Sequence, residues 1–374
     1  QNVGIGHSAL VANTTGGNNV AIGYQTLNNS TDKNSNVAVG YRACKNNNSS
    51  YGVFIGDRAA SNGIVSGERN VAVGHYSLFA LTSGAENTAV GATTLAANTT
   101  GSSNTAVGES SLVANTTGAT NTAVGHDSLF SNTTADNNTA VGKDALYYNT
   151  TGANNSAVGA LALDANTTGN SNNAFGYEAL SDNTTGTQNC AFGHEALEDN
   201  TTADDNSAFG FRALRVNTTG AQNVAVGVAS LKANTTASNN TAVGYLALTA
   251  NTTGAENTAV GANAMDGNAT GNYNDAFGKD ALGSGDGFTR CVAFGNSALK
   301  QNAGNSNTAV GHVALTANTT GTTNTAVGTY ALDANTTGSY NTAIGYQSLT
   351  AATTASPNTA VGYNAAPSLT TGSE

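Results

Sequence analysis

The sequence predicts an all-β fold, a β-solenoid of the parallel β-roll or β-helix kind, on three observations. One sentence of about 17 residues, written "NTAVGESSLVANTTGAT" at 104–120, recurs 22 times and fills all 374 residues as a single repeat array, 1–374. Counting the Asn of "NTAVG" as slot 0, slot 4 is Gly in all 22 copies, slot 3 is always Val, Ile or Phe, and slot 8 is Leu in 18. The two apolar anchors are short and separated by small residues and "NTTG", which suits strands and turns and leaves no room for a helix pair.

Each element follows from a slot. The two apolar anchors, at slots 3 and 8, predict two strands of about four residues per copy, with one turn at the small residues between them and a second at "NTTG". Stacking identical coils at about 4.8 Å would give a rod of about 105 Å for 22 coils. Side chains alternate along a strand, so slots 1 and 3 share one face and slots 2 and 4 the other. Slot 3 is expected to form the core. The small Ala of slot 2 and the Gly of slot 4 are expected to admit a close backbone, read as that of a partner chain. One Val and one Leu per copy bury little apolar surface, which also favours several chains sharing an axis.

Composition narrows the function classes. Charged residues make up 9% and the formal net charge is −11, so neither nucleic-acid phosphates nor an anionic membrane is an expected partner. No apolar run approaches the ~18 residues of a membrane helix. The cysteines Cys44, Cys190 and Cys291 lie in widely separated copies, too far apart along a stack to pair, and are expected to be small buried or half-buried residues.

Several copies resemble a known family. "NVAIG" at 19–23 and "NVAVG" at 36–40 and 70–74 are similar to the "SVAIG" strand in the head repeats of trimeric autotransporter adhesins, the YadA-like family. The longer form "NTAVGxxALxxNTTG" resembles repeats of trimeric phage and viral tail-fibre proteins. The resemblance implies a homotrimer, intertwined or side by side, in which each chain winds a left-handed parallel β-roll. The period here is about three residues longer than in the adhesin pattern, the extra length falling near "NTT".

Two slots supply candidate sites. Slot 5 holds His7, Tyr24, Tyr41, His75, His126, Tyr177, His194, Tyr245, His312, Tyr346 and Tyr363, read as an exposed edge of stacked rings that could bind a surface. Successive histidine copies are at least three coils apart, so no metal site is expected. Slot 11 holds Asn13, Asn98, Asn115, Asn132, Asn149, Asn166, Asn183, Asn200, Asn217, Asn234, Asn251, Asn268, Asn318 and Asn335, mostly in "NTT". These are either a stacked amide ladder at a turn or N-glycosylation acceptors. The paired Thr residues suggest an ice-binding face, against which stands their adjacency, since neighbours on a strand point to opposite sides.

No catalytic pattern recurs: carboxylates such as Asp182, Glu195, Asp204 and Asp205 sit in variable slots, and there is no nucleophile elbow or phosphate loop. The expectation is a non-enzymatic, extracellular structural fibre without cofactor, on a cell surface, a virion or a shed filament. Its partner would be itself, as a homotrimer that could also stack end to end. The alternative is an adhesin head holding surface carbohydrate through many weak contacts, and a minor alternative is an ice-binding solenoid.

Overall fold

Inside a coil, slot 2 faces slot 8, and this pairing dictates the residues found at both. A methyl built on Gly4 would lie 3.8 Å from Leu10 Cδ1 and 3.7 Å from the Ala9 carbonyl, so the interior is one methyl and one leucine wide. Ala106, Ala123 and Ala140 at slot 2, with Leu112, Leu129 and Leu146 at slot 8, are fully buried. The computed structural model describes residues 1–371 and is a parallel β-solenoid of about 22 turns, with no helix among the described residues.

The chain divides into two compact units, Gln1–Gln188 and Asn189–Glu374, each built from the same coil. The first unit runs from β1 (Val3–Ile5) to β11 (Asn173–Phe175), and the second from β12 (Cys190–Phe192) to β22 (Thr359–Val361). Register is slot on slot: Thr105 pairs with Thr122, Ala106 with Ala123 and Val107 with Val124, and in the second unit Thr241 pairs with Thr258.

Three expectations are corrected. Each coil contributes one strand of three residues, slots 1–3, where two of about four were expected. The reason is backbone handedness. Slots 6, 8 and 16 carry left-handed φ on non-glycine residues, as at Ser110 (57°), Leu112 (52°) and Thr120 (57°), and this breaks the second strand into turns. The turns still bond between coils, in alternating directions: Ser110 N donates back to the Ala92 carbonyl (3.0 Å), and Leu112 N forward to the Ser128 carbonyl (3.0 Å).

The faces are also reversed. Slot 2 points inward and slot 3 outward, with Val107, Val124 and Phe192 at 37%, 38% and 37% exposed. A coil this thin already spends its interior on the slot 8 leucine, leaving no volume for a branched or aromatic side chain opposite. Finally, the backbone that approaches the slot 4 glycine belongs to the same chain. A Cβ on Gly108 (φ +129°) would stand 2.4 Å from the Gly125 carbonyl oxygen of the next coil, and one on Gly227 (φ +129°) 2.5 Å from that of Gly244.

Polar residues complete the interior. At slot 0, Asn104 Oδ1 accepts from Asn121 N (2.9 Å), while Asn121 Nδ2 donates across the coil to the Ala135 carbonyl (2.8 Å). At slot 11, Asn132 Nδ2 donates to Asn115 Oδ1 (2.8 Å) and Asn149 Nδ2 to Asn132 Oδ1 (3.0 Å). The second unit repeats both ladders, with Asn240 N on Asn223 Oδ1 (3.0 Å) and Asn234 Nδ2 on Asn217 Oδ1 (2.8 Å). Where the slot residue changes, the volume is rebalanced. In the coil beginning at 52, Phe54 enters slot 2 while slot 8 shrinks to Ala60 and slot 0 to Gly52, whose added Cβ would lie 2.3 Å from the Phe54 ring.

The ladders end where the next coil lacks a facing amide. Asn335 Oδ1 is buried without a partner, and the residue at slot 11 one coil on is Ala352, itself buried. Replacing Ala352→Asn is expected to extend the ladder and stabilise the chain by about 1 kcal/mol, whereas Asn132→Ala strands two neighbouring amide groups and costs on the order of 3 kcal/mol. Thermal and urea midpoints of the two variants check both signs.

Candidate functional site

The outward slots carry whatever chemistry the chain offers, because the inward ones are occupied by the ladders and the leucine column. Slot 5 follows the slot 4 glycine and projects a side chain at the edge of the strand stack. The eleven residues expected there are exposed, from Tyr24 and Tyr41 at 40% to Tyr245 at 57% and Tyr363 at 78%.

Their geometry decides what they can hold. His7, Tyr24 and Tyr41 form a continuous stack, with centroids 5.3 Å apart and planes within 17° and 8° of parallel. Tyr346 and Tyr363 stack likewise at 5.5 Å. Arg42 and Arg58 lie over the Tyr41 ring at 5.1 and 5.8 Å, and Arg58 also hydrogen-bonds the Tyr76 hydroxyl. Rings used in this way show their edges to solvent and hide their faces, and it is a free face that a sugar ring requires. His194 tilts against Phe211, and His312 meets Tyr330 edge-on at 5.9 Å.

The slot 11 asparagines lie inside the coil. From Asn98 to Asn335 they are fully buried, and Asn13 is half-buried. The amide nitrogen that would carry a glycan is already a double donor: Asn115 Nδ2 bonds Asn98 Oδ1 (2.9 Å) and the Gly118 carbonyl (2.9 Å). The geometry builds the ladder and leaves a sugar no room at that nitrogen. At slot 12, Thr116 Oγ1 donates to the Thr133 carbonyl (3.0 Å) and Thr218 Oγ1 to that of Thr235 (3.1 Å), so this threonine column binds coil to coil. Only the slot 13 threonines, such as Thr100 and Thr117, show an exposed row.

Cys44 and Cys291 are buried thiols outside any disulfide, and Cys190 is half-buried. Burial pushes the Cys44 thiol well above its usual value. Cys291 takes the place of a slot 0 asparagine, its sulfur 3.4 Å from Asn302 Nδ2 and 3.3 Å from the Gly304 carbonyl.

Charged side chains meet across coils at slots 5, 6 and 9. In the second unit, Glu195 is 9% exposed and accepts from Arg212 (2.6 Å), with Arg215 at 2.9 Å. The bond from Arg212 holds its carboxyl below the ordinary range against the opposing effect of burial. In the first unit, His126, Asp127 and Asp144 bring one imidazole and two carboxylates together, their ligand atoms all within 4.8 Å of one another. Spacing the histidines along the sequence missed this group, because its members come from neighbouring slots of successive coils and include only one histidine. The signal available was the pair of aspartates at slot 6 of consecutive copies.

Asp164 lines the same notch. Burial, reinforced by Asp182 and Asp144, raises its carboxyl from 3.8 to about 6. No family model matches the sequence and no curated protein matches it. Among the described residues, no helix is long and apolar enough to cross a membrane.

Two outcomes follow. Because the folded-state value of Asp164 is raised, the stability it lends is full below about pH 4 and is lost as pH rises through about 6. Asp164→Asn is therefore expected to stabilise the chain at pH 7 by about 1 kcal/mol after allowance for its partial exposure, and to flatten the rise in melting temperature between pH 7 and pH 5. Intact mass of the folded chain from a glycosylating host is expected to equal the unmodified sequence mass at the slot 11 asparagines.

Proposed function

We propose that the chain is a non-enzymatic structural array, the rod of an extracellular fibre, in which copies lie side by side along the outward strand face. The observation that carries this reading is the apolar row at slot 3. Coil after coil shows a Val, Ile or Phe to solvent, among them Ile22 (36%), Ile55 (37%), Val90 (37%) and Phe175 (36%) in the first unit, and Phe209 (41%), Val226 (37%) and Ile344 (39%) in the second. Contiguous exposed apolar surface of this kind marks an interaction site.

The period selects the occupant. A partner that matches a row repeating at about 4.8 Å must itself repeat at that distance, and another copy of the same solenoid does so by construction. A valine-sized side chain 37% exposed offers roughly 50 Å², so the eleven slot 3 residues of the first unit, of which Val39, Val73, Val141 and Val158 are less exposed than that, offer on the order of 500 Å², a major share of the ~800 Å² per partner of a standard interface before flanking slots are counted. The resemblance of the repeats to trimeric adhesin heads and tail fibres makes three the favoured number of chains. A rod reading is preferred to an adhesin head because the rings of His7, Tyr24 and Tyr41, and those of Tyr346 and Tyr363, stack on one another and so spend faces that a sugar would need. It is preferred to an ice-binding face because the slot 12 hydroxyls bond within the stack and leave a single exposed threonine column, at slot 13, rather than a Thr-x-Thr pair of columns on one face.

Sedimentation equilibrium tests the proposal. The chain is expected at three times its sequence mass at micromolar concentration. Val90→Lys combined with Val107→Lys and Val124→Lys is expected to yield single chains with an unchanged β circular-dichroism spectrum. A wild-type chain that sediments at its sequence mass, or an assembly indifferent to the three lysines, would overturn it.

A further inference from the structure

We infer that His126, Asp127 and Asp144 form a binding site for one divalent transition-metal ion of the zinc type, on the first unit and independent of the lateral face. The two coils concerned place Asp127 and Asp144 in the same slot, one above the other, so that two carboxylates are held at about the spacing of neighbouring strands. The equivalent stack in the second unit sets Glu195 against Arg212, a pair of opposite charges. Here like meets like, and the exposed Lys143 pairs directly with Asp144, its Nζ 2.9 Å from Asp144 Oδ2.

The geometry adds what a pair of acids alone lacks. His126 Nδ1 stands 3.0 Å from Asp127 Oδ2, and one imidazole nitrogen and one oxygen from each aspartate fall within 4.8 Å of one another. Three donors bound to one ion at about 2.0–2.2 Å lie about 3–3.5 Å apart, so small side-chain rotations close the set. Asp127 and Asp144 are only 20% and 19% exposed, and beside them opens a cavity of about 320 Å³ whose wall includes Tyr147, Tyr148 and Asp164. The strand stack beneath fixes the spacing of the two coils. The cavity leaves space for the water that completes the shell of a three-ligand zinc ion.

Asp164 lines the same cavity and adds a third carboxylate to the surroundings of the ion. The donor set selects its class, since an imidazole with two carboxylates suits zinc and its first-row neighbours, whereas calcium and magnesium favour all-oxygen shells. The Lys143 ammonium, bonded to the Asp144 carboxylate, competes with a cation for it.

Calorimetric titration of the purified chain with zinc chloride at pH 7.5, beside calcium and magnesium chloride, tests the assignment. One zinc per chain is expected, with calcium and magnesium failing to displace it at tenfold excess. His126→Gln and Asp144→Asn are each expected to weaken zinc binding at least tenfold, with the circular-dichroism spectrum unchanged. Lys143→Ala is expected to strengthen it several-fold by removing the competing ammonium. Absence of saturable zinc binding, or zinc binding that His126→Gln and Asp144→Asn leave unaltered, would overturn the site, as would weaker binding in Lys143→Ala. None of these readings depends on the number of chains, which sedimentation reports separately.

Discussion

The structure depends on keeping buried amide groups hydrogen-bonded in an interior too thin to exclude them. A coil of about 17 residues encloses little more than one leucine, one alanine and two asparagines. Buried polar groups without partners are costly, and asparagine resolves this because its side chain carries both an acceptor and a donor. At slots 0 and 11 each amide takes a bond from one neighbouring coil and gives one within its own, so the same residue type repeated at the coil period satisfies itself. The unpartnered oxygens of Asn13, Asn251 and Asn335 show what happens where the series is interrupted or turned.

That requirement explains an otherwise unfavourable backbone. Leucine in the left-handed region is disfavoured by roughly 1–2 kcal/mol, yet the slot 8 leucines adopt it in coil after coil. The left-handed turns aim successive peptide groups alternately at the coil before and the coil after, which keeps the ladder running through the non-strand half of the repeat. They also turn the leucine side chain inward. The strain is held by the neighbouring coils, so it is affordable in a stack and would not persist in one coil alone.

With the inward slots fixed, variation is confined to the outward ones, and there the coil period becomes a device for placing side chains. Two residues 17 apart in sequence are neighbours in space, so any pair of substitutions at one slot creates a contact. Tyr24 over Tyr41 gives a ring stack, Glu195 beside Arg212 an ion pair, and Asp127 beside Asp144 a carboxylate pair next to a histidine. The apolar row at slot 3 is the outward apolar feature that scarcely varies, which is why it carries the reading of lateral association.

The sequence by itself determined the repeat, its parallel slot-on-slot stacking, the leucine column and the turn at "NTTG", because each is fixed by periodicity and by the chemistry of one residue type, and it offered the amide ladder at slot 11 as one of two readings. It did not determine which strand face looks inward. Val at slot 3 reads as core by hydrophobicity, and Ala at slot 2 reads as a contact surface by size; only the width of the closed coil, already filled by Leu112 and its equivalents, assigns them the other way. Nor did it disclose that Gly108 meets Gly125 of its own chain, since an invariant glycine reports a close backbone without naming whose. The grouping of His126 with two aspartates was likewise left to the tertiary structure, because it depends on which directions adjacent slots take once left-handed turns bend the chain between them.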